Sequence, residues 1–262
     1  MVTLAVDTSQ SVGSVALARD GTVLGAERFH EPAAHLVALG HAVERLLETH
    51  GLPPAGVDRL AIVVGPGSFT GLRIGMSFVK GFHAARGADV VTIDALRLLA
   101  LPLLPARARV CALIDARRGE AYAAVYERAG EDERAGDPTA ALVRVPPSAL
   151  SPAALLASLA QTPPDAFVGN GAGAHRQEIV AAFPLAAIEN GDGAPSTPYL
   201  AAIAHRMHPL DHAAIRDLEP TYVRPSGAER LRLRAHAGGS GRGAGAAPAP
   251  GAPETPGECA DE

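Results

Sequence analysis

The sequence is poor in residue types that mark several classes of protein. Its 262 residues include no tryptophan, two cysteines and a single lysine. Two cysteines, Cys111 and Cys259, cannot build the disulfide framework of a small secreted domain, so we expect a reducing compartment. The preference for arginine over lysine fits the composition of a GC-rich genome and supports no functional interpretation.

Long hydrophobic runs and a targeting segment are also missing. The most apolar stretch, residues 98–105, contains two prolines and is far shorter than the roughly 20 residues that cross a bilayer. The first residues carry no basic region and reach an acid, Asp7, which is unlike a secretory signal peptide. We therefore expect a cytoplasmic protein that has no membrane partner.

The net charge of the chain argues against one class of function, and the composition of its last residues predicts a disordered segment. The formal net charge of −5 excludes a protein-wide basic field that would attract nucleic acid or anionic lipid. Residues 238–262 contain 7 glycines and 4 prolines but no leucine, isoleucine, valine or aromatic residue. Such a segment cannot bury enough apolar surface to offset its ordering entropy. We predict a disordered Gly/Pro/Ala-rich tail over 238–262.

The rest of the chain shows one α/β pattern twice. The first half runs strand, hairpin, helix, strand, glycine turn and helix, with an Asp20-Gly21 pair that is typical of a tight hairpin. The second half begins again with an apolar strand over 110–115. We predict a duplicated two-lobe α/β fold, with an N-terminal lobe over 1–104, a C-terminal lobe over 105–237 and a cleft between them.

The densest motif is a glycine-rich turn between a strand and a helix, Gly65-Pro-Gly-Ser-Phe-Thr-Gly-Leu-Arg-Ile-Gly75. Backbone N–H groups at such a helix start can bind an anion. The P-loop and dinucleotide fingerprints both fail, because Thr70 is followed by Gly71-Leu72 and stands where a dinucleotide loop needs its third glycine. The alternative interpretation is a tight turn in which Ser68 or Thr70 caps the helix.

The helix behind this turn, residues 70–86, is apolar over most of its circumference, which requires cover on both sides. Its polar side chains fall on one narrow stripe, formed by Arg73, Ser77 and Lys80. Gly71 and Gly75 remove side chains where another backbone could come close. The sequence leaves two interpretations open: a buried core helix, or a helix that docks a second chain beside the predicted helix over 33–50.

Weaker signals lie at strand ends that face the predicted cleft, where phosphate or metal ligands would be placed. These residues are Asp7, Thr8, Asp115, Arg117 and Gly169. The first of these turns, Ser9-Gln10-Ser11, has no glycine that would let a phosphate approach. His205 and His208 have the spacing of helical metal ligands, but no third ligand accompanies them, so we predict no metal site.

The glycine motif closely resembles that of the bacterial TsaB family, and the resemblance covers most of the predicted folded part. The supporting segments are Leu4-Ala-Val-Asp7-Thr8, Ser14-Val-Ala-Leu17, Ile114-Asp-Ala-Arg-Arg-Gly-Glu120 with Tyr122, and Glu219-Pro-Thr-Tyr222-Val-Arg224. Residues 131–164 match the family pattern least, and the tail lies outside it. The resemblance implies the actin/Hsp70/sugar-kinase-like (ASKHA) two-lobe fold.

The resemblance also implies a function in tRNA modification. The family supplies a non-catalytic dimerisation and partner subunit of the complex that transfers the threonylcarbamoyl group to N6 of adenosine 37 in tRNAs reading ANN codons. Catalysis lies in the paralogous TsaD, which pairs with TsaB as a heterodimer, and the ATPase TsaE joins them. We expect this chain to form a homodimer when alone and to meet tRNA indirectly, through the complex. The complex uses ATP and Mg²⁺, and we expect no cofactor on this subunit alone.

The resemblance places partner docking on helices of the first lobe. The predicted interface residues are Gly67, Phe69, Thr70, Gly71, Arg73, Ile74, Gly75, Phe78, His35 and Leu39.

Two other functions remain as alternatives. One is an autonomous ATP-dependent enzyme of the same fold, which would use Asp7, Asp115 and the glycine turns at Gly65 and Gly169. The other is direct tRNA binding by a basic run near the end of the folded part. That run consists of Arg224, Arg230, Arg232 and Arg234.

Overall fold

Two five-stranded sheets with helices between and around them make up the described part of the protein. The structure is a computed structural model, and it describes residues 1–30, 35–117, 119–189 and 196–223. The predicted tail over 238–262 and the terminal arginines lie outside these residues. None of the helices in the described ranges is long and apolar enough to cross a membrane.

The first sheet is built by the N-terminal part of the chain. Its elements are β1 (Val2–Asp7), β2 (Gly13–Arg19), β3 (Thr22–Phe29), α1 (His35–Thr49), a short 3-10 turn (Pro54–Gly56), β4 (Arg59–Val63), α2 (Phe69–Arg86), β5 (Asp89–Ile93) and α3 (Ala95–Ala100). The strand order is β3-β2-β1-β4-β5, with β1 antiparallel to β2 and parallel to β4. The predicted hairpin turn is confirmed, since Asp20 and Gly21 both have positive φ, 49° and 83°, as a type I′ turn requires.

The second sheet repeats this topology. Its elements are β6 (Arg109–Asp115), β7 (Ala121–Arg128), α4 (Glu131–Gly136), β8 (Ala141–Leu150), α5 (Pro152–Leu159), β9 (Ala166–Val168), α6 (Asn170–Ala174), α7 (Arg176–Ala182) and β10 (Ala187–Glu189). The order β10-β9-β6-β7-β8 again joins a three-stranded meander to two parallel strands on the far side of its first strand. The predicted duplication of an α/β fold is therefore confirmed.

The predicted helices agree with the structure within a few residues. The helix predicted over 33–50 is α1, and the helix predicted over 70–86 is α2, which begins one residue earlier, at Phe69. In the second half, the glycine turn at Gly169 is followed by α6 and then by α7, which meet at His175.

The C-terminal part of the described chain returns to the first sheet. It contains α8 (Thr197–Ile203), a 3-10 turn (Ala204–Arg206) and α9 (His212–Arg216). Helix α8 packs against β1 and β2, where the Thr197 hydroxyl donates to Ser14 Oγ at 3.0 Å. Further on, the Thr221 amide donates to the carbonyl of Val64 at 2.8 Å. Residues after 196 therefore also contribute to the first half of the fold, and the lobe bounds 1–104 and 105–237 stay a prediction.

Candidate functional site

The glycine motif folds as a turn that packs against the residues following β1. Gly65 has φ of 117°, a conformation that favours glycine, and a Cβ there would lie 2.6 Å from the Thr221 carbonyl oxygen. A Cβ at Gly67 would overlap the carbonyl oxygen of Ser9, which accepts a hydrogen bond from the Ser68 amide. The Ser68 hydroxyl accepts from the Gly71 amide and caps α2. Of the two predicted caps, Ser68 is therefore the one that the structure uses.

Gly71 and Gly75 let α2 approach the chain's own first strand. Both are buried, and a Cβ at Gly71 would overlap the backbone oxygen of Thr8. A Cβ at Gly75 would overlap the Thr8 hydroxyl and lie 3.4 Å from Ile62 Cδ1. The close approach predicted from these glycines is present in the structure, where it joins α2 to Thr8 of the same lobe. Neither residue offers exposed side-chain surface to a partner.

The first turn of α2 carries an exposed cluster that we call the Phe69 cluster, formed by Phe69, Arg73 and Tyr222. The Phe69 ring is 42% exposed and stacks on Tyr222 with ring centroids 5.2 Å apart. The Arg73 guanidinium lies 4.0 Å above the Phe69 ring, and its Nε donates to the Tyr222 hydroxyl at 3.2 Å. The cluster thus presents a rigid aromatic and cationic surface. Sequence reasoning placed Phe69 and Arg73 in one interface but missed that Tyr222, 149 positions after Arg73, completes it.

The other predicted interface residues differ in exposure. Thr70 is exposed, Ile74 and Phe78 are half-buried against the core of the first lobe, and Leu39 is fully buried. The His35 side chain lies outside the described residues. Two exposed apolar side chains near the start of α1, Leu36 and Val37, were not among the predicted residues although they are 56% and 57% exposed.

A polar cavity of about 340 Å³ lies between the two sheets, where the cleft was predicted. Its lining residues are Ser9, Gln10, Ser11, Gly67, Ser68, Ile114, Asp115, Ala116, Arg117, Tyr122 and Asn170. Of the predicted cleft residues, Asp115 and Arg117 line it. Asp7, Thr8 and Gly169 are not among the lining residues. Gly169 has φ of 101°, and a Cβ there would overlap the Leu113 carbonyl oxygen. A glycine at this position therefore allows the backbone of Leu113 to come close.

The two strand ends at the cavity repeat one local structure. Asp7 Oδ1 accepts from the amide of Ser9 at 2.8 Å, and Asp115 Oδ1 accepts from the amide of Arg117 at 2.8 Å. The two carboxyl groups differ in environment, because Asp7 is 6% exposed whereas Asp115 is exposed. Burial raises the pKa of the Asp7 carboxyl, and the hydrogen bonds from Ser9 oppose this shift without cancelling it. Asp7 is therefore costly to ionise in the folded protein.

The raised pKa of Asp7 predicts a pH-dependent effect of Asp7→Asn. An acid whose pKa is higher in the folded state stabilises the fold below its unfolded pKa, and this contribution is lost as the pH rises through the folded pKa. Asparagine is neutral at every pH, and its Oδ1 can still accept from Ser9. The variant should therefore unfold at higher urea concentration than the wild type at pH 7, and this advantage should vanish near pH 4.

The control for this prediction is Asp115→Asn, which changes the equivalent exposed turn of the second lobe. It should leave the urea midpoint nearly unchanged at both pH values. A loss of stability for Asp7→Asn at pH 7 would contradict the burial argument and indicate that the ionised carboxylate is required.

Several amide groups at or near the cavity donate within the chain. The amide of Ser68 donates to the Ser9 carbonyl, and the amides of Ser9, Gly71 and Arg117 donate to side chains of their own turns. A triphosphate site needs several free backbone donors at this position, and an exposed carboxylate, Asp115, lines the cavity as well. These pairings leave fewer backbone donors at the cavity for a phosphate group.

Comparison with known protein families and curated proteins finds relatives along the chain. The family model described as "TsaD: tRNA N6-adenosine threonylcarbamoyltransferase" matches residues 31–190. The tRNA threonylcarbamoyladenosine biosynthesis protein TsaB of Escherichia coli (strain K12) is 37% identical over 145 residues, 54% of this chain and 62% of that protein. The TsaB protein of Bacillus subtilis (strain 168) is 30% identical over 127 residues, 48% of this chain and 56% of that protein. The matches therefore span less than two thirds of these relatives.

Solved structures extend the likeness over most of the chain. YeaZ from Pseudomonas aeruginosa superposes with a TM-score of 0.63 at 26% identity, covering 84% of this chain and 99% of that one. An uncharacterized protein with similarity to peptidase YeaZ, from the same organism, gives a TM-score of 0.65 at 27% identity, covering 85% of this chain and 99% of that one.

Proposed function

Since the chain belongs to the TsaB family, we propose that it is the non-catalytic partner subunit in the biosynthesis of threonylcarbamoyladenosine in tRNA. Its partner is a TsaD-type threonylcarbamoyltransferase, to which it docks through α1 and α2. TsaE joins this complex, and the chain forms a homodimer when it is alone. The complex acts in the cytoplasm, and the chain contacts tRNA only through it. The relatives that support this proposal carry threonylcarbamoyladenosine biosynthesis in their names.

The observation that carries the proposal is the exposed apolar surface on two neighbouring helices of the first lobe. Helices α1 and α2 contact each other, and each exposes apolar side chains in its first turn: Leu36 and Val37 on α1, and Phe69 on α2. Aromatic residues and arginine are enriched at the energetic centres of protein interfaces. In the Phe69 cluster both types are held in place by stacking and by the hydrogen bond to Tyr222, so little side-chain entropy remains to be lost on binding.

This surface excludes Gly71, Gly75 and Leu39, although all three were predicted interface residues. Their side-chain positions face the interior of the lobe. A bulky substitution such as Gly75→Arg would therefore disturb folding before it tested docking. The informative positions are the exposed ones, namely Phe69, Arg73 and Val37.

The cavity between the sheets supports a non-catalytic role over the autonomous enzyme. Several of its rim amides donate within the chain, and the buried Asp7 does not line it. We propose that ATP and Mg²⁺ are used by the assembled complex and that this chain alone holds neither. Micromolar Mg-ATP binding by the isolated chain, abolished by Asp115→Asn, would favour the enzyme instead.

The docking surface is tested by Phe69→Asp in the purified chain. Placing a carboxylate in the apolar centre of an interface should weaken association with the TsaD partner by at least about tenfold, since the loss of one such anchor costs about 2 kcal/mol or more. Association is measured by titration calorimetry, and the modified nucleoside is quantified in cells that depend on the variant.

Two further variants make this test decisive. Leu185→Asp carries the same kind of change at a side chain of the second lobe that is 99% exposed, so it should bind like the wild type. Val37→Asp leaves the Phe69 cluster untouched and should also weaken association if α1 shares the surface. Normal binding by both Phe69→Asp and Val37→Asp would show that docking occurs elsewhere.

A further inference from the structure

Two histidines far apart in sequence meet at the end of α2. His83 Nε2 lies 3.1 Å from His212 Nδ1, and the ring centroids are 5.0 Å apart at an angle of 49°. His83 lies in the last turn of α2, and His212 is the first residue of α9. We call them the histidine pair.

Backbone contacts hold the two rings in this position. The chain leaves α2 through Gly87, and His83 Nδ1 donates to the carbonyl of Ala88 at 2.8 Å. The Leu210 amide donates to the Val90 carbonyl at 2.8 Å and brings the start of α9 beside β5. Asp211 caps α9 by accepting from the Ala214 amide at 2.7 Å. The convergence of the two rings is thus set by the backbone on both sides.

The hydrogen bond to Ala88 decides which nitrogen of His83 is free. A neutral imidazole carries one N–H, and because Nδ1 donates to Ala88, Nε2 presents its lone pair. A histidine that donates one ring N–H to a backbone carbonyl while the other nitrogen faces a ligand is the usual arrangement at metal sites. His83 therefore has the tautomer and the support of a metal ligand.

The distance between the facing nitrogens also suits a metal ion. Zinc binds imidazole nitrogen at about 2.0–2.1 Å, so two such ligands lie about 2.9 Å apart at a right angle and about 3.3 Å apart at the tetrahedral angle. The observed 3.1 Å falls between these values. His212 is exposed, so an ion can reach the pair from solvent.

We propose that the histidine pair is a binding site for a divalent transition-metal ion, with His83 Nε2 and His212 Nδ1 as its two protein ligands and Zn²⁺ as the probe. Water fills the remaining positions, because the described residues contain no group of three or more histidine, cysteine, aspartate or glutamate side chains placed to share an ion. The bound ion fastens α9 to the end of α2, next to the contact in which Lys80 Nζ donates to the Arg216 carbonyl. This site was not predicted, because the ligands are 129 residues apart.

The experiment measures Zn²⁺ affinity of the full chain, purified without a histidine tag, by competition with a chromophoric chelator. We expect saturable binding of one ion per chain. His212→Ala removes one of two ligands but leaves the bond between His83 and Ala88, and it should weaken binding about tenfold or more. Zn²⁺ should raise the melting temperature of the wild type and not that of the variant, since an ion that binds the folded state stabilises it.

His208→Ala is the matched control. His208 lies four residues before His212 and is exposed, but the segment between them is not helical and the pair at His83 does not include it. This variant should keep wild-type affinity, and His83→Ala should lose binding as His212→Ala does. Binding that is equal in all four proteins would overturn the proposal, as would the absence of saturable binding to the wild type, which would leave the pair as a hydrogen bond.

Discussion

Replacing Gly71 with alanine should lower the free energy of unfolding by about 3 kcal/mol. The added methyl group would overlap the backbone oxygen of Thr8, which sits at the end of a central strand and cannot rotate away as a side chain could. Forcing atoms into a packed core costs typically 1–3 kcal/mol and occasionally more, and here α2 must move away from β1 as a whole. Urea unfolding followed by circular dichroism measures the effect.

Gly81→Ala supplies a control within the same helix. A Cβ at Gly81 would have no atom within 4 Å, and the residue is exposed. Alanine favours a helix over glycine by roughly 0.5–1 kcal/mol, so this variant should be more stable than the wild type. The same substitution thus has opposite effects ten residues apart. Equal effects at the two positions would contradict the close contact between α2 and Thr8.

Replacing Arg59 with methionine should also cost about 3 kcal/mol, since each carbonyl left without its donor in the interior costs about 1–3 kcal/mol. The Arg59 side chain is 8% exposed, and its Nη1 donates to the carbonyls of Ala204 and Met207, each at 2.8 Å, while Nη2 donates to Asp89 at 3.0 Å. Methionine retains the length of the side chain but leaves both carbonyls without a donor. Thermal unfolding monitored by calorimetry should show the loss.

Arg109→Met is the matched control in the second lobe. Arg109 begins β6 as Arg59 begins β4, but its side chain is 27% exposed and its main partner, Glu127, also accepts from Arg144. Ion pairs that reach solvent contribute about 0–1 kcal/mol, so this variant should lose less than about 1 kcal/mol. If both variants lose the same amount, the carbonyls beside Arg59 are not the cause.

Much of this fold could be predicted because each half contains local sequence patterns that indicate its strands, turns and helices. Strand alternation, the Asp20-Gly21 turn and the glycine turn at Gly65 act over a few residues, so the sequence alone indicates them. Strand β8 escaped prediction because Pro146 and Pro147 interrupt it and its residues are mostly half-buried or exposed.

The candidate site was predicted less completely, for two physical reasons. A sequence shows that Gly71 and Gly75 allow close approach, but it does not show what approaches, which within the lobe is Thr8. Contacts between distant segments leave no periodic signal at all. Tyr222 on Phe69 and His212 beside His83 are of this kind.

The return of the chain to the first sheet has a consequence for its synthesis on the ribosome. The strands of that sheet are complete by Ile93, yet Arg59 finds its carbonyl partners only at Ala204 and Met207, and Val64 finds its amide partner only at Thr221. During synthesis these groups of the N-terminal half therefore lack these partners until residues 204–221 have been made. Residues 204–221 thus complete contacts of a sheet whose strands were all synthesised more than 100 residues earlier.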